Sequence, residues 1–401
     1  MKLYMQCGYG FMKLSELLSD KMPATTYILS PRDLPQKSQV SFSSRLRVKG
    51  QKVLFDPQLY APHSEKRNFQ SYDYWDCDFK TTDVHWSQIA EKLVALNARL
   101  KADAIILPGC PWQRVGRGAI LQQEAILDAF SAYGEKKYAT LCLQQNVLLD
   151  AAQIEKLLNV ASAWSVDGFY VVTEHPDADY FADSPIWMYN LLKLTIGLRM
   201  HGREVVIGYA NHQQLLTACS CASAIAAGNW MNTRSFTFDK FRETMDIKRH
   251  KLWYYAPQAM TEFAPAYLDL AAKKGIIHLL SPQKAMPDSP AGNLFSDDVL
   301  SGRIMPSLVN YNHEMSFAHY LLALNRQCED ITACCDYASR RSRIIEMSNQ
   351  AKELLQFFHK HRIIGQNRDY MEIFDVNDVA LEMFHEEAGP LLSRMPRLFV
   401  D

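Results

Sequence analysis

Short runs of β-branched and aromatic residues recur along the first two thirds of the chain, and each run ends at a polar or Gly/Pro turn. Runs of this length and composition predict buried strands. Eight of them lie at residues 25–29, 52–55, 104–107, 138–143, 168–172, 204–207, 223–227 and 251–255. Between the runs, apolar residues three and four positions apart predict amphipathic helices, most clearly at 115–133, 151–165 and 186–200.

Eight strands that alternate with helices within about 250 residues are typical of a (β/α)8, or TIM-type, barrel. A doubly wound open sheet is the alternative, but no predicted strand is followed by the Gly-x-Gly-x-x-Gly turn of a dinucleotide-binding fold. We therefore predict an α/β protein whose barrel spans residues 1–281.

The pattern changes beyond the predicted barrel. Residues 282–312 contain several prolines and glycines and are predicted to form a linker or loop excursion. Residues 313–401 are predicted to form a helical C-terminal extension. Apolar spacing typical of long helices covers 317–335 and 342–360, and that of a shorter helix covers 376–384.

Composition excludes several classes of protein. The 401 residues are 48% hydrophobic and 22% charged, so the chain as a whole is not disordered. Its 43 basic and 44 acidic side chains nearly cancel, and binding of nucleic acid through overall charge is not expected. No apolar run approaches the roughly 20 residues of a membrane helix, and the N-terminus lacks a signal-peptide pattern. With nine scattered cysteines, we expect a cytoplasmic protein with reduced thiols and no membrane partner.

Active residues of a barrel lie at the carboxyl ends of its strands. The polar residues that follow the predicted strands are Arg32, Asp33, Asp56, Gln58, Gln144, Gln145, Glu174, His175, Asn211, His212, Asn229, Thr233 and Arg234. Asp56 either begins a turn or acts in catalysis. Gln144 and Gln145 either satisfy buried backbone groups or recognise the edge of an amide-like ring such as guanine. No His or Cys spacing indicates a metal site, and no motif indicates a cofactor.

Basic and aromatic residues are interleaved after the seventh predicted strand. The basic side chains Arg234, Lys240, Arg242, Lys248, Arg249 and Lys251 share this stretch with Phe236, Phe238 and Phe241. Such a stretch is typical of contacts to a nucleic-acid backbone, and a solvated helix face fits nearly as well. Nucleic acid is therefore a candidate partner, with Arg234, Lys248, Arg249 and Lys251 as the predicted contacts.

Five segments, in order along the chain, resemble motifs of the queuine/guanine transglycosylase superfamily. They are Phe-Asp-Pro-Gln-Leu-Tyr at 55–60, Leu-Cys-Leu-Gln-Gln-Asn at 141–146, Val-Val-Ile-Gly-Tyr-Ala at 205–210, Met-Asn-Thr-Arg at 231–234 and His-Glu-Met-Ser-Phe at 313–317. The family exchanges a base in tRNA or, in one branch, a 7-deazaguanine base in DNA. The chain thus resembles a distant member of this superfamily.

The resemblance implies a barrel with Asp56 as the central carboxylate and Gln144 as the residue that reads the base. The further substrate-binding residues expected at strand ends are Arg32, Gln58, Gln145, Glu174, Asn211 and Asn229. Two features of the family are missing. Its nucleophilic aspartate falls near Gly228 and Asn229, where there is no carboxylate, and no cysteine stands where its zinc ligands lie. Metal binding is therefore not implied, and covalent base exchange loses its nucleophile.

Three hypotheses follow from these residues. The first is an enzyme that acts on the base of a nucleic acid (tRNA or DNA) or a nucleotide, by N-glycosidic cleavage or base exchange. The second is a catalytically inactive relative that binds nucleic acid or scaffolds a complex with protein partners. The third is a barrel hydrolase with an unrelated substrate.

Overall fold

The computed structural model describes residues 1–61, 66–75, 85–241, 251–282 and 284–399. The chain divides into two compact units, Met1–Met245 and Asp246–Asp401. Residues 246–281, which the sequence pattern grouped with the barrel, thus belong to the second unit.

A parallel sheet organises the first unit. Its strands within the described residues are β1 (Lys2–Gln6), β2 (Thr26–Leu29), β3 (Lys52–Phe55), β4 (Ile105–Ile106), β5 (Pro111–Trp112), β6 (Lys137–Leu143), β7 (Gly168–Thr173), β8 (Glu204–Ile207) and β9 (Ala224–Ala227). Eight of them form a curled sheet in the order β3-β2-β1-β9-β8-β7-β6-β4, and β5 pairs with β6. Every pair is parallel, so all carboxyl ends lie at one edge.

The two ends of this strand order are linked by one residue. Asp103, two residues before β4, donates its backbone N–H to the carbonyl oxygen of Val53 in β3, with N and O 2.8 Å apart. Its Oδ2 also accepts a hydrogen bond from the backbone N–H of Val53, again at 2.8 Å. The sheet therefore curls far enough for β3 to reach the segment that leads into β4.

Seven of the eight predicted strands are confirmed, each within one residue of the predicted bounds. The prediction of a barrel strand at 251–255 is wrong. Residues Tyr254–Ala256 pair antiparallel with Thr261–Phe263 in the second unit. The eighth strand of the parallel order is instead β1, which the sequence pattern does not predict and which lies between β2 and β9. Its short Lys-Leu-Tyr-Met-Gln run carries no β-branched residue and ends in polar side chains, so it did not stand out as a strand.

Helices connect most of the parallel strands and cover the sheet. Those of the first unit within the described residues are α1 (Phe11–Lys21), α2 (Gln36–Val48), α3 (Trp86–Leu100), α4 (Arg117–Ala129), α5 (Gln145–Leu148), α6 (Ala151–Ala161) and α7 (Pro185–Met200). In α3 the apolar residues Ile89, Leu93, Leu96 and Leu100 are buried at helical spacing. Side chains cap the N-termini of two helices. Asp150 accepts a hydrogen bond from Ala152 N in α6, and Ser184 accepts one from Trp187 N in α7.

Alternate residues of the strands point to the inside of the curled sheet and form one buried cluster. The cluster includes Ile28, Leu54, Ile106, Tyr138, Cys142, Tyr170, Val172, Val206, Ala224 and Ala226. Because side chains alternate along a strand, the same phase places Asp56, Glu174 and Gly208 on this face just beyond the strand ends. The packing of the sheet thus decides which polar residues face its carboxyl edge.

The second unit combines a two-stranded sheet with helices. Its elements are β10 (Tyr254–Ala256), β11 (Thr261–Phe263), α8 (Pro265–Lys273), α9 (Asp297–Leu300), α10 (His313–Thr332), α11 (Tyr337–Lys360) and α12 (Phe374–Leu392). The predicted C-terminal helices correspond to α10, α11 and α12. A buried ion pair joins Arg368 Nη1 to Glu262 Oε2 at 2.6 Å, and the guanidinium lies 4.3 Å from the ring centroid of Trp253.

Replacing Arg368 by leucine should destabilise the second unit strongly. The buried Glu262 carboxylate would lose this cation, and breaking a buried pair from one side costs about 3–5 kcal/mol. Arg326→Leu is the matched control, because its pair with Asp330 is largely exposed and such pairs contribute about 0.3–0.5 kcal/mol. Urea unfolding measures both. Equal losses from the two variants would contradict the assignment.

Candidate active site at the carboxyl edge of the parallel sheet

A buried carboxyl group lies at the carboxyl edge of the sheet. Asp56 follows β3 directly, and its backbone N–H continues the ladder to Leu29 O at 2.8 Å. The side chain is fully buried. Its Oδ1 accepts from the backbone N–H of Gln58 at 3.0 Å. Its Oδ2 lies 2.6 Å from the Tyr60 hydroxyl, 3.2 Å from that of Tyr170 and 3.3 Å from that of Tyr209.

Further amide groups extend this arrangement. Gln58 Nε2 donates to the Tyr209 hydroxyl at 2.7 Å, and Gln58 Oε1 accepts from the backbone N–H of Arg32 at 3.2 Å. The Tyr170 hydroxyl also lies 3.0 Å from Gln6 Oε1, and the Tyr60 and Tyr209 oxygens lie 2.9 Å apart. The Asp56 network comprises Gln6, Asp56, Gln58, Tyr60, Tyr170 and Tyr209. Its members come from β1, from the ends of β3 and β8, and from β7.

Two members of the network have strained backbones. Gln58 has φ of 55° and Tyr209 has φ of 53°, in the left-handed region that non-glycine residues rarely adopt. Such residues persist where the surrounding structure fixes them, and they cluster at ligand-binding and catalytic sites. The side chains of these two strained residues contact each other, because Gln58 Nε2 donates a hydrogen bond to the Tyr209 hydroxyl.

The hydroxyl hydrogens of the network have alternative acceptors. Each tyrosine has one hydrogen, and the short Tyr60 contact assigns its hydrogen to Asp56 Oδ2. Tyr209 receives an N–H from Gln58, so its own hydrogen goes either to Tyr60 or to Asp56. The Tyr170 hydrogen goes either to Gln6 Oε1 or to Asp56 Oδ2. The hydroxyl hydrogens of Tyr170 and Tyr209 can therefore turn to the carboxyl group or away from it by rotation of the hydroxyl groups alone.

Burial sets the electrostatics of the network. It raises the pKa of Asp56 to about 6, and the hydrogen bonds from Tyr60 and Gln58 oppose this rise. The pKa values of Tyr60 and Tyr170 are raised by burial and further by the charge of Asp56. The tyrosines are thus neutral hydrogen-bond donors at neutral pH. The carboxyl group reaches both protonation states near neutrality, which general acid–base chemistry requires.

Two basic side chains lie beside the network. Arg32 donates from Nε and Nη2 to Asp33 Oδ2 at 3.2 and 3.1 Å, and its Cζ lies 5.2 Å from the ring centroid of Phe241. Lys240 Nζ donates to the carbonyl oxygen and hydroxyl of Ser235 at 2.5 and 2.7 Å. Burial, and secondly the charge of Arg32, lower the pKa of Lys240 to about 7.

The predicted base-reading residues form a partly exposed rim. Gln144 and Gln145 follow β6, and the backbone N–H of Gln145 donates to Glu174 Oε2 at 3.3 Å. Burial raises the pKa of Glu174. Burial, then the charges of Asp56 and Glu174, raises the pKa of the inward-facing Cys142 thiol. The rim thus lies at the same carboxyl edge of the sheet as the Asp56 network.

Asn211, a predicted substrate-binding residue, lies buried beyond the end of β8. It is fully buried, its Oδ1 accepts from Gln213 N at 2.8 Å, and its Nδ2 donates to the carbonyl oxygens of Tyr180 and Arg234. These contacts occupy both amide hydrogens of Asn211, and its role in substrate binding stays a prediction. Asn229 donates from Nδ2 to Tyr9 O at 2.8 Å, but its buried Oδ1 has no partner among the described residues. Asn229 thus stays a candidate.

The predicted nucleic-acid contacts are not assembled by the described residues. Arg234 is only 2% exposed and donates from Nε to Gly228 O at 2.7 Å and from Nη2 to Asn229 O at 3.0 Å. Its guanidinium thus hydrogen-bonds to the loop after β9, and contact with phosphate stays a prediction. Lys248 and Arg249 lie outside the described residues. Lys251 is exposed in the second unit.

Four residues of the Asp56 network escaped sequence reasoning. Tyr60, Tyr170 and Tyr209 are hydroxyl donors within apolar surroundings, and Gln6 ends the strand that the pattern missed. The alternation of side chains carries a signal for Tyr170, which shares the inward phase with Val172 and Glu174. No comparable local signal marks Tyr60 or Tyr209, because both lie in turns beyond strand ends.

Comparisons with known proteins add no family to these observations. No protein-family model matches the chain, and no curated protein matches it significantly. Within the described residues, no helix has the length and apolar character needed to cross a membrane. The described residues also contain no group of three or more His, Cys, Asp or Glu side chains that could hold a metal ion.

Asp56→Asn should remove a pH-dependent loss of stability. A carboxyl pKa of about 6 in the folded protein exceeds the unfolded value of about 3.9, so ionisation of Asp56 disfavours folding as pH rises through this window. Two pKa units correspond to about 3 kcal/mol. Urea unfolding at about pH 4 and about pH 7.5 should show that the variant gains about 2 kcal/mol of this relative to the native chain, because the unfolded carboxyl group is already half ionised at the lower pH.

The exposed Asp128 on α4 provides the control for this measurement, since Asp128→Asn should leave the pH dependence unchanged. A relative loss of stability in Asp56→Asn at the higher pH would show that the network favours the ionised carboxylate, contrary to the expectation.

Proposed function

We propose that the first unit is a closed (β/α)8 barrel that binds the base of a nucleotide or nucleic acid at its carboxyl edge and cleaves the N-glycosidic bond there. The observation that carries the proposal is the Asp56 network, a buried carboxyl group at the edge of a parallel sheet where barrel enzymes place their chemistry. The link from Asp103 to β3 supports closure of the barrel. The motif resemblance to the transglycosylase superfamily supports the substrate class.

The chemistry assigns distinct roles to the network and the rim. As the N-glycosidic bond breaks, its electron pair leaves with the base and positive charge develops at the sugar C1′ carbon. Ionised Asp56 stabilises that charge, and water adds to C1′ while its proton ends on the base. The amide of Gln144 presents a donor and an acceptor to the edge of the base, and Gln145 and Glu174 complete the rim.

Hydrolysis is favoured over base exchange in this proposal. Exchange requires a nucleophile that holds the sugar covalently between two bases. Gly228 and Asn229 stand where the family has its nucleophilic aspartate, and the Asn229 amide is held by Tyr9 O. At Gly228, even a Cβ atom would lie 2.2 Å from Gln6 O, so no larger side chain fits there without a shift.

A second function is favoured by a specific observation. Asp56 is fully buried, and its two oxygens already receive hydrogen bonds from Gln58 and the tyrosines. A carboxyl group whose hydrogen bonds are already satisfied in this way is also compatible with a relative that keeps the network and carries out no reaction. In that function the first unit binds nucleic acid or scaffolds a protein complex without reaction. A cytoplasmic location accompanies both functions as a proposal.

The two functions separate in one experiment. Labelled tRNA, single-stranded DNA and duplex DNA are each mixed with the full chain at two salt concentrations, and both binding and release of free base are measured. We expect binding that weakens as salt rises, because phosphate contacts release counterions, together with base release from one of the polymers. Binding without release would support the silent relative. No binding to any of the three polymers would contradict nucleic-acid binding in both functions and leave only a free nucleotide as substrate or a protein scaffold.

Asp56→Asn should lower base release by about 10²-fold or more, since this is the range that general acid–base and electrostatic groups contribute. Nucleic-acid binding should change little, because Asp56 is buried. Asp128→Asn is the control and should release base at the native rate. Unchanged release from Asp56→Asn would remove Asp56 from the mechanism.

A further inference from the structure

The Asp56 network has a positively charged flank that the proposed hydrolysis does not use. Arg32 has 3% of its side chain exposed, and Asp33 engages only its Nε and Nη2. Its Nη1 is buried and has no partner among the described residues. The backbone N–H of Arg32 donates to Oε1 of Gln58 at 3.2 Å, which places this residue against the network.

Lys240 adds a second basic side chain to this flank, and an anion bound beside it favours its protonated form. Two of its three hydrogens go to the carbonyl oxygen and the hydroxyl of Ser235, and no described carboxylate lies within ion-pair distance of its Nζ. The Arg32 Cζ atom lies 5.2 Å from the ring centroid of Phe241, the residue next to Lys240, and the charge of Arg32 contributes to the lowered pKa of Lys240. Among the described residues, Asp33 is therefore the one carboxylate in ion-pair contact with either cation.

Two neutral groups nearby also lack partners. The Ser30 hydroxyl, two residues before Arg32, is buried and has no partner among the described residues. The same holds for Nδ1 of His175, whose backbone N–H donates at 3.1 Å to the carbonyl oxygen of Phe236, the residue after Ser235. Buried polar atoms in folded proteins are generally hydrogen-bonded, and several unpartnered ones together indicate a place for a ligand or ordered water. Here they accompany two cations.

We propose that Arg32 and Lys240 form an anion subsite that binds a phosphate group of the substrate. A guanidinium edge and an ammonium group offer several N–H donors to a tetrahedral oxyanion, and charge-assisted hydrogen bonds of this kind are strong. This inference rests on the proposed function, which assigns the base to the neighbouring Asp56 network and the rim. A phosphate beside the base makes the substrate a nucleotide rather than a free base or nucleoside.

The phosphate has two possible sources with the same chemistry. It is either the terminal phosphate of a nucleoside monophosphate or a backbone phosphate next to the target nucleotide in a polymer. Calorimetric titration of the full chain with inorganic phosphate, the four ribonucleosides, their 5′-monophosphates and short single-stranded oligonucleotides separates these sources. A monophosphate that binds at least tenfold more tightly than its nucleoside supports the first source, and the same gain in the oligonucleotide alone supports the second.

Lys240→Met is the variant that tests the subsite, because methionine keeps most of the side-chain volume and removes the charge. We expect it to weaken binding of inorganic phosphate at least tenfold and to abolish the gain that the phosphate gives a nucleotide. Lys193→Met is the matched control, since Lys193 is largely buried in an ion pair with Glu155 on the outer helices. Arg32→Gln provides a second test, and circular dichroism checks that each variant is folded.

The outcomes distinguish the subsite from the proposed function. Phosphate binding that is absent in the native chain, or equal in the native chain and Lys240→Met, would overturn the subsite even if base release is intact. Lys240-dependent phosphate binding would support the subsite. If it came without tighter binding of any nucleotide and without base release, the subsite would stand and the proposed function would fail.

Discussion

The burial of Asp56 is the constraint on which the site depends. A carboxyl group removed from water must be satisfied by hydrogen-bond donors, and here the donors come from separate parts of the chain. Tyr170 lies 114 residues and Tyr209 153 residues beyond Asp56 in sequence. Their hydroxyls meet the carboxyl group because β3, β7 and β8 lie in one curled sheet with aligned carboxyl ends. The same burial raises the pKa of the Asp56 carboxyl group toward neutral pH and keeps the tyrosines protonated.

Much of the sheet could be predicted, because its strands are local runs of apolar residues. The parallel strands other than β1 and the short β5 were located from such runs, and the position of Asp56 and Gln58 at a strand end followed. The strand at 251–255 shows the limit of this reasoning. An apolar run does not reveal its partner, and residues 254–256 pair with a strand five residues further along.

The direction of polar side chains could not be predicted for a physical reason. Asn211 and Arg234 follow strands just as Asp56 does, but nearby carbonyl oxygens that need donors take up their N–H groups. Tyr60 and Tyr209 look like core aromatics in sequence, and only the fold brings their hydroxyls to a carboxylate. Which strand-end residues serve a ligand and which serve the backbone is thus decided by contacts distant in sequence.

The state of the Asp56 carboxyl group links the fold to the proposed chemistry, and it can be observed directly. Carbon-13 NMR of protein labelled at the aspartate carboxyl carbons gives its titration, and the Asp56→Asn variant identifies the resonance. We expect a midpoint near 6 that moves when a nucleotide occupies the site. A midpoint near the ordinary value of about 4, unchanged by any nucleotide, would contradict this expectation.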